Sequence, residues 1–207
     1  MRAHQWYTES MKANNTEGFA WTGPFDLLTL DKRGMSASRL LKTKEGVVLG
    51  AAVALLALQT LDDALITSTL NNAGELVVFI VDNGVLISSS VPKLNNTIAK
   101  NRGSTEPDRA ATCVDPIVSF VASTIEEDKH GWTNACSDDT SRTSVPTLKI
   151  PGFGHYWYQC SALSDQFRIL KWQLIVVEKV KCDQGTFISP LNGACADCPI
   201  GAKCLGA

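Results

Sequence analysis

Charge of one sign is what this 207-residue chain conspicuously lacks: 19 Lys and Arg stand against 21 Asp and Glu, for a net charge of −2. The basic residues are scattered, so there is no basic face for nucleic acid and no polybasic patch for lipid. Nucleic acid is excluded as a partner on that ground. Histidine is scarce too. His4, His130 and His155 lie in three separate segments, none at metal-ligand spacing from another His or a Cys cluster, and no metal or other cofactor is expected. The chain carries no P-loop, GxGxxG, HExxH, GxSxG or kinase motif, and it reads as non-enzymatic. Asp62-Asp63 and Glu126-Glu127-Asp128 read as solvated helix-end charges rather than as a catalytic pair.

Long apolar runs are missing as well. The longest uncharged stretch, Gly46 to Leu61, has 16 residues with Gly46 and Gly50 inside it, whereas a spanning helix needs about 20. It is expected to be buried in the protein. The N-terminal MRAHQWYTES lacks the apolar core of a signal peptide, so Met1 is not expected to be the natural start.

What is present is an ordinary globular composition, 44% hydrophobic and 19% charged, with room for one large domain or two smaller ones. Seven cysteines are the exception. Cys182, Cys195, Cys198 and Cys204 crowd into the last segment beside glycine and proline, and Asn14 and Asn95 each open an N-x-Thr acceptor sequon. Both features fit an oxidising, extracellular location with glycosylation at Asn14 and Asn95.

The strongest local signal is Glu75 to Ser90, ELVVFIVDNGVLISSS. Asn83-Gly84 between two β-branched runs predicts a tight hairpin, because both central residues of a type I′ turn need φ > 0. Val77, Phe79 and Val81 point one way and Leu76, Val78 and Ile80 the other, as in a central strand covered on both faces. Upstream, Gly23-Pro24 marks a turn or kink between aromatic anchors, and Ser36 to Leu41 is a strand candidate. Val47 to Ala54 reads as a buried strand that passes near Leu55 into a helix spaced by Leu55, Leu58, Leu61 and Leu65. Downstream, Asp115-Pro116 predicts a helix start with Ile117, Phe120, Val121 and Thr124 on one face. Glu126 to Pro146 reads as a long polar loop, and strands are expected at Thr147 to Ile150, Tyr156 to Ala162 and Ile169 to Val177.

The order of Trp6-Tyr7, the W-x-x-P-aromatic run Trp21 to Phe25, a Ser-rich strand, Gly46-Val47-Val48-x-Gly50, a leucine-spaced helix and then Ile80-Val81-Asp82-x-Gly84 resembles double Cache sensor domains. These are extracytoplasmic ligand-binding regions of transmembrane receptors. The resemblance covers residues 2 to 180. It implies an α+β fold of PAS-like antiparallel sheets with flanking helices: the C-terminal part of a membrane-distal module over 1–66 and a complete proximal module over 67–180. Residues 181–207 resemble a small cysteine-rich stalk repeat. On this likeness the distal module lacks its first strands, so residues 1 to 62 should leave an open sheet edge and exposed apolar surface.

The resemblance further implies that a small-molecule ligand meets His4, Trp6, Tyr7, Trp21 and Phe25; a plainer reading makes Trp6, Trp21 and Phe25 core aromatics. Amino-acid-binding members carry an Arg where this chain has His4, and an Asp where it has Leu55. A zwitterion stripped of water needs both charges paired. Free amino acids are therefore expected to be disfavoured relative to an organic acid or a largely uncharged ligand. The receptor setting implies anchorage at the extracellular face of the plasma membrane through parts outside this chain, and allows a homodimer. Alternatives are a structural or channel-accessory ectodomain that binds protein, and a secreted thiol oxidoreductase using Cys195 and Cys198.

For the cysteines, a single CxxC outside a βαβ context favours structural disulfides over redox or zinc chemistry. The expected pairs are Cys182 with Cys195, and Cys113 with Cys136. Cys198 and Cys204 are expected to bond each other or residues beyond the C-terminus.

Overall fold

In a computed structural model of the chain, the described residues are 20–27, 32–72, 75–94, 108–128, 131–132, 136, 147–163, 172–182, 186–189 and 195–197. The hairpin forms where Asn83-Gly84 demands it: β4 (Leu76–Asp82) turns into β5 (Val85–Ser89), with φ of 47° at Asn83 and 83° at Gly84. A register shift between Ile80 and Val81 bends the pair.

Around β4 lies a five-stranded antiparallel sheet in the order β5-β4-β8-β7-β6. Its other strands are β6 (Thr147–Ile150), β7 (Gly154–Leu163) and β8 (Trp172–Lys179). β4 pairs along its whole length with β8, from Leu76 opposite Glu178 to Asp82 opposite Trp172. A central strand with apolar side chains on both faces must be covered twice, and it is. Val77, Phe79 and Val81 pack under α2 (Pro116–Glu127) with Ile117, Val118, Val121 and Ile125. Ile80 packs on the opposite face, with Leu58 and Met35.

The two helices obey different signals. Asp115 caps α2, its carboxylate accepting from the amides of Ile117 at 3.1 Å and Val118 at 3.0 Å, with Pro116 in the first turn. Its buried stripe is Ile117, Val118, Val121, Ala122 and Ile125, rotated from the expected one; Phe120 is exposed. α1 (Leu58–Thr69) begins three residues later than the leucine spacing predicts, because Leu55 and Leu56 are still extended. The loop expected after Glu126 includes Trp132, buried against the α2 core.

A second sheet of three strands has the order β1-β2-β3: β1 (Ala20–Leu27), β2 (Lys32–Lys42) and β3 (Val48–Ala57), all antiparallel. Gly23-Pro24 lies inside β1 and produces a register shift between Thr22 and Phe25. The expectation that Gly46 to Leu61 is buried fails over β3: Leu49 is 71% and Leu55 59% exposed, and Val48, Val53 and Leu56 are exposed as well. β3 is the outermost described strand, so one whole edge meets no described neighbour. Among the described residues no helix is long and apolar enough to cross a membrane.

Cys136 is bonded to Cys160 of β7, tying the segment after α2 to the sheet. The expected Cys113–Cys136 bridge is thereby corrected: Cys113 is a free thiol. Packing decides it. The side of β7 that carries Tyr156, Tyr158 and Cys160 is turned to the α2 core, and the buried Cys136 meets it there. At the C-terminal end, β9 (Thr186–Ile188) and β10 (Cys195–Asp197) form a small hairpin, and Cys182 is bonded to Cys195.

Candidate functional site

Strand alternation gives the three-stranded sheet two unlike faces. On one, Thr22 of β1 stands opposite Ser36 of β2, which stands opposite Leu55 of β3. The Thr22 and Ser36 hydroxyls lie 2.7 Å apart, and the Ser36 amide donates to Thr22 Oγ1 at 3.2 Å. One turn of the pleat along, the Ser38 hydroxyl donates to the Ala20 carbonyl at 3.3 Å. Thr22, Ser36 and Ser38 are all buried, although Leu55 in the same row is not. This row of hydroxyls can donate and accept hydrogen bonds without bearing charge, and Leu55 is the position at which the resemblance places a carboxylate.

The other face turns to the five-stranded sheet. Trp21 packs there, with Met35, against Leu58, Ile80, Ile87 and Trp172. The indole N–H groups of Trp21 and Trp172 are both buried and have no hydrogen-bond partner among the described residues. Trp21 and Thr22 are therefore neighbours in sequence on opposite sides of β1.

A charged contact crosses the same junction. Asp62 of α1 is 3% exposed and accepts from the Ser88 hydroxyl of β5 at 2.6 Å. Arg33 of β2 lies 3.9 Å from the other Asp62 oxygen and donates to the Ile87 carbonyl at 3.2 Å. Burial pushes the Asp62 carboxyl up, against the opposing pull of Ser88 and then of Arg33. The expectation of a solvated helix-end charge is thus corrected for Asp62. A signal for it existed: Asp62 stands on the stripe of Leu58, Leu61 and Leu65, four residues after the first and three before the last. Asp63, next to it, is exposed.

Of the residues expected to meet a ligand, His4, Trp6 and Tyr7 lie outside the described residues. So do Asn14, Asn95, Cys198 and Cys204. Phe25 stands opposite Gly34 in the β1–β2 pair, its side chain outside the description. Trp21 is placed as above, at the junction between the sheets. Among the described residues no group of three His, Cys, Asp or Glu side chains could hold a metal ion. Cys195 is bonded to Cys182 and not to the other cysteine of its CxxC.

No protein-family model matches the chain, and no curated protein matches it. Solved structures do. One is the ligand-binding domain of the Pseudomonas aeruginosa amino-acid chemoreceptor PctC in complex with GABA: TM-score 0.50, 15% identity, 86% of this chain and 62% of that one covered. Another is the ligand-binding domain of the Pseudomonas fluorescens chemoreceptor CtaA in complex with L-serine: TM-score 0.51, 13% identity, 86% and 61% covered. The fold is that of a chemoreceptor ligand-binding domain. The chain spans about three fifths of the length of these two domains.

These complexes correct one expectation. Free amino acids were disfavoured because His4 and Leu55 replace a charged clamp, yet L-serine and GABA are both held by domains of this fold at 13% and 15% identity to this chain. At such divergence the clamp positions of one branch do not decide the ligand class of another.

Proposed function

We propose that this chain is the small-molecule-sensing region of a transmembrane signalling receptor, displayed on the extracellular side. In this reading β1 to β3 with α1 are the C-terminal part of a membrane-distal double Cache module. The five-stranded sheet is the proximal module, and the cysteine hairpin begins a stalk. The observation that carries it is the likeness of fold to chemoreceptor ligand-binding domains over 86% of the chain. The ligand is an amino acid or a small amine or acid related to one. It sits against the hydroxyl face of Thr22, Ser36 and Ser38.

Such a sensor needs a ligand that binds two arrangements of the modules unequally. Trp21 and the Arg33–Asp62–Ser88 contact lie where β2 and α1 meet β5, and they carry the difference from one sheet to the other. The test is thermal denaturation of the chain against a panel of amino acids, GABA, amines and organic acids. A ligand present at a hundred times its Kd stabilises the folded state by about 2.7 kcal/mol. At least one member of the panel should raise Tm with saturation, and silence across the whole panel overturns the reading.

A further inference from the structure

Among the described strands β5 has a partner on one side only, β4. Along its other side the Asp108 carbonyl accepts the Leu86 amide at 2.8 Å, and the residues that follow are held by two side chains from the three-stranded sheet and its helix. Arg33 donates to the Ile87 carbonyl at 3.2 Å, and Asp62 accepts both the Ser88 hydroxyl at 2.6 Å and the Ser89 amide. Arg33 and Asp62 thus do for this edge what a neighbouring strand would do.

The grip is poorly matched in charge. Asp62 is 3% exposed, yet its cation stands 3.9 Å away, beyond hydrogen-bond reach, with the same Nη2 already given to Ile87. The other charges nearby do not make up the difference. Asp63, beside it on α1, repels it; β5 and β3 have no ionisable residue, and β4 has only Asp82, at the hairpin turn. A buried carboxylate without a close cation is held at a cost that a neutral carboxyl escapes. The junction is under-satisfied in a second way, because the buried indole N–H groups of Trp21 and Trp172 find no acceptor among the described residues. Opening it would return water to all of these groups.

We propose that Asp62 is a proton-operated latch between the two sheets: with its carboxyl protonated the junction stays closed on β5, with the proton gone it loosens, and ligand binding against Thr22, Ser36 and Ser38 is thereby linked to pH. The link to the ligand rests on the sensing role proposed above; the latch itself does not. β2 is the part they share. Ser36, on its hydroxyl face, directly follows Met35 on its junction face, and Arg33 lies two residues before Met35. Each unit by which closing raises the Asp62 pKa makes the closed-to-open ratio about tenfold smaller at high pH than at low pH.

Hydrogen exchange of the whole chain, read residue by residue by NMR, tests the latch. The Ser89 amide reports the junction because it donates to Asp62, and the Ser90 amide, bonded to the Val78 carbonyl at 2.8 Å inside the sheet, is the reference. As pH rises from about 4, protection of Ser89 relative to Ser90 should fall about tenfold or more, with its midpoint where the Asp62 carboxyl itself titrates. In Asp62→Asn the ratio should keep its low-pH value throughout. A ratio constant with pH overturns the latch, and so does the same fall in Asp62→Asn; if that variant does not fold, a mismatch between the two wild-type midpoints overturns it instead. These readings need no ligand. Calorimetry with L-serine and with GABA then tests the link: affinity should vary with pH in the wild-type chain and stay level in Asp62→Asn, and equal pH dependence in both overturns it. If neither compound nor any other of the panel binds, the sensing role falls, while the Ser89 profile still decides the latch.

Discussion

Ser88 of β5 donates its hydroxyl hydrogen bond to Asp62 of α1 across 2.6 Å, inside the junction of the two sheets and out of reach of bulk water. Burial raises the pKa of the Asp62 carboxyl above its ordinary value. A carboxyl whose pKa is higher in the folded than in the unfolded chain stabilises the fold below its unfolded pKa, and that contribution is lost as pH rises through the folded one. Stability should therefore decline from about pH 4 upward on account of this group. Asp62→Asn, which keeps the shape and removes the titration, should flatten that limb of the Tm-against-pH curve. A curve of unchanged slope would remove Asp62 as its cause.

Gly84 is the tightest backbone position of the hairpin. Its φ is 83°, and a Cβ there would come within 2.6 Å of Glu126 Oε1 and 2.9 Å of both Arg109 Nη2 and Trp132 Nε1. Those three side chains are bound to one another, Arg109 to Glu126 at 2.6 Å and Trp132 to Glu126 at 3.1 Å. Gly84→Ala should cost more than about 2 kcal/mol, strain and lost contacts together. Chemical denaturation measures it, with Asn83→Gly as the mild control.

Cys136 and Cys160 are 24 residues apart. Closing a loop of that length in the unfolded chain is worth about 3 kcal/mol. The double change Cys136→Ser with Cys160→Ser should lower stability by roughly that amount. Cys113→Ser, which breaks no bond, should leave it within about 0.5 kcal/mol.

Cys113 itself should be slow to react. Burial pushes its thiol up to about 11, so at pH 8 almost none is thiolate, the nucleophilic form. Intact-mass measurement after iodoacetamide should show Cys113 unmodified in the native chain and modified after denaturation.

Ser36 tests the proposed ligand face. Its hydroxyl bonds to Thr22 at 2.7 Å in the centre of the row. If a polar ligand sits there, Ser36→Ala should weaken the best compound found by thermal shift roughly five- to tenfold, about one hydrogen bond. Unchanged affinity would move the site elsewhere.

Local chemistry was legible wherever a few adjacent residues determine the backbone. Asn83-Gly84 and Asp115-Pro116 each announced its element, and the two-faced run from Leu76 to Val81 announced a strand covered on both sides. What escaped were properties set by distant partners. The apolar run of β3 reads as buried from any window of its own sequence, since nothing in it records that the strand lies at an edge. Asp62 reads as solvent-facing because charge outweighed its place on the leucine stripe. Cys136 finds Cys160 only after β7 has been laid into the sheet. The hydroxyl row of Thr22, Ser36 and Ser38 needs the β1–β2 register before it becomes a row at all.

β8 lies between β4 and β7, hydrogen-bonded on both sides along its length. At its end the Lys179 amide donates to the Glu75 carbonyl and the Val180 amide to the His155 carbonyl, Lys181 is ion-paired with the Glu75 side chain, and the next residue is Cys182, bonded to Cys195. Only Val180 and Lys181 separate the sheet from the cystine loop. A pull on Cys195 through its bond to Cys182 is therefore applied along β8, the middle strand of the five-stranded sheet.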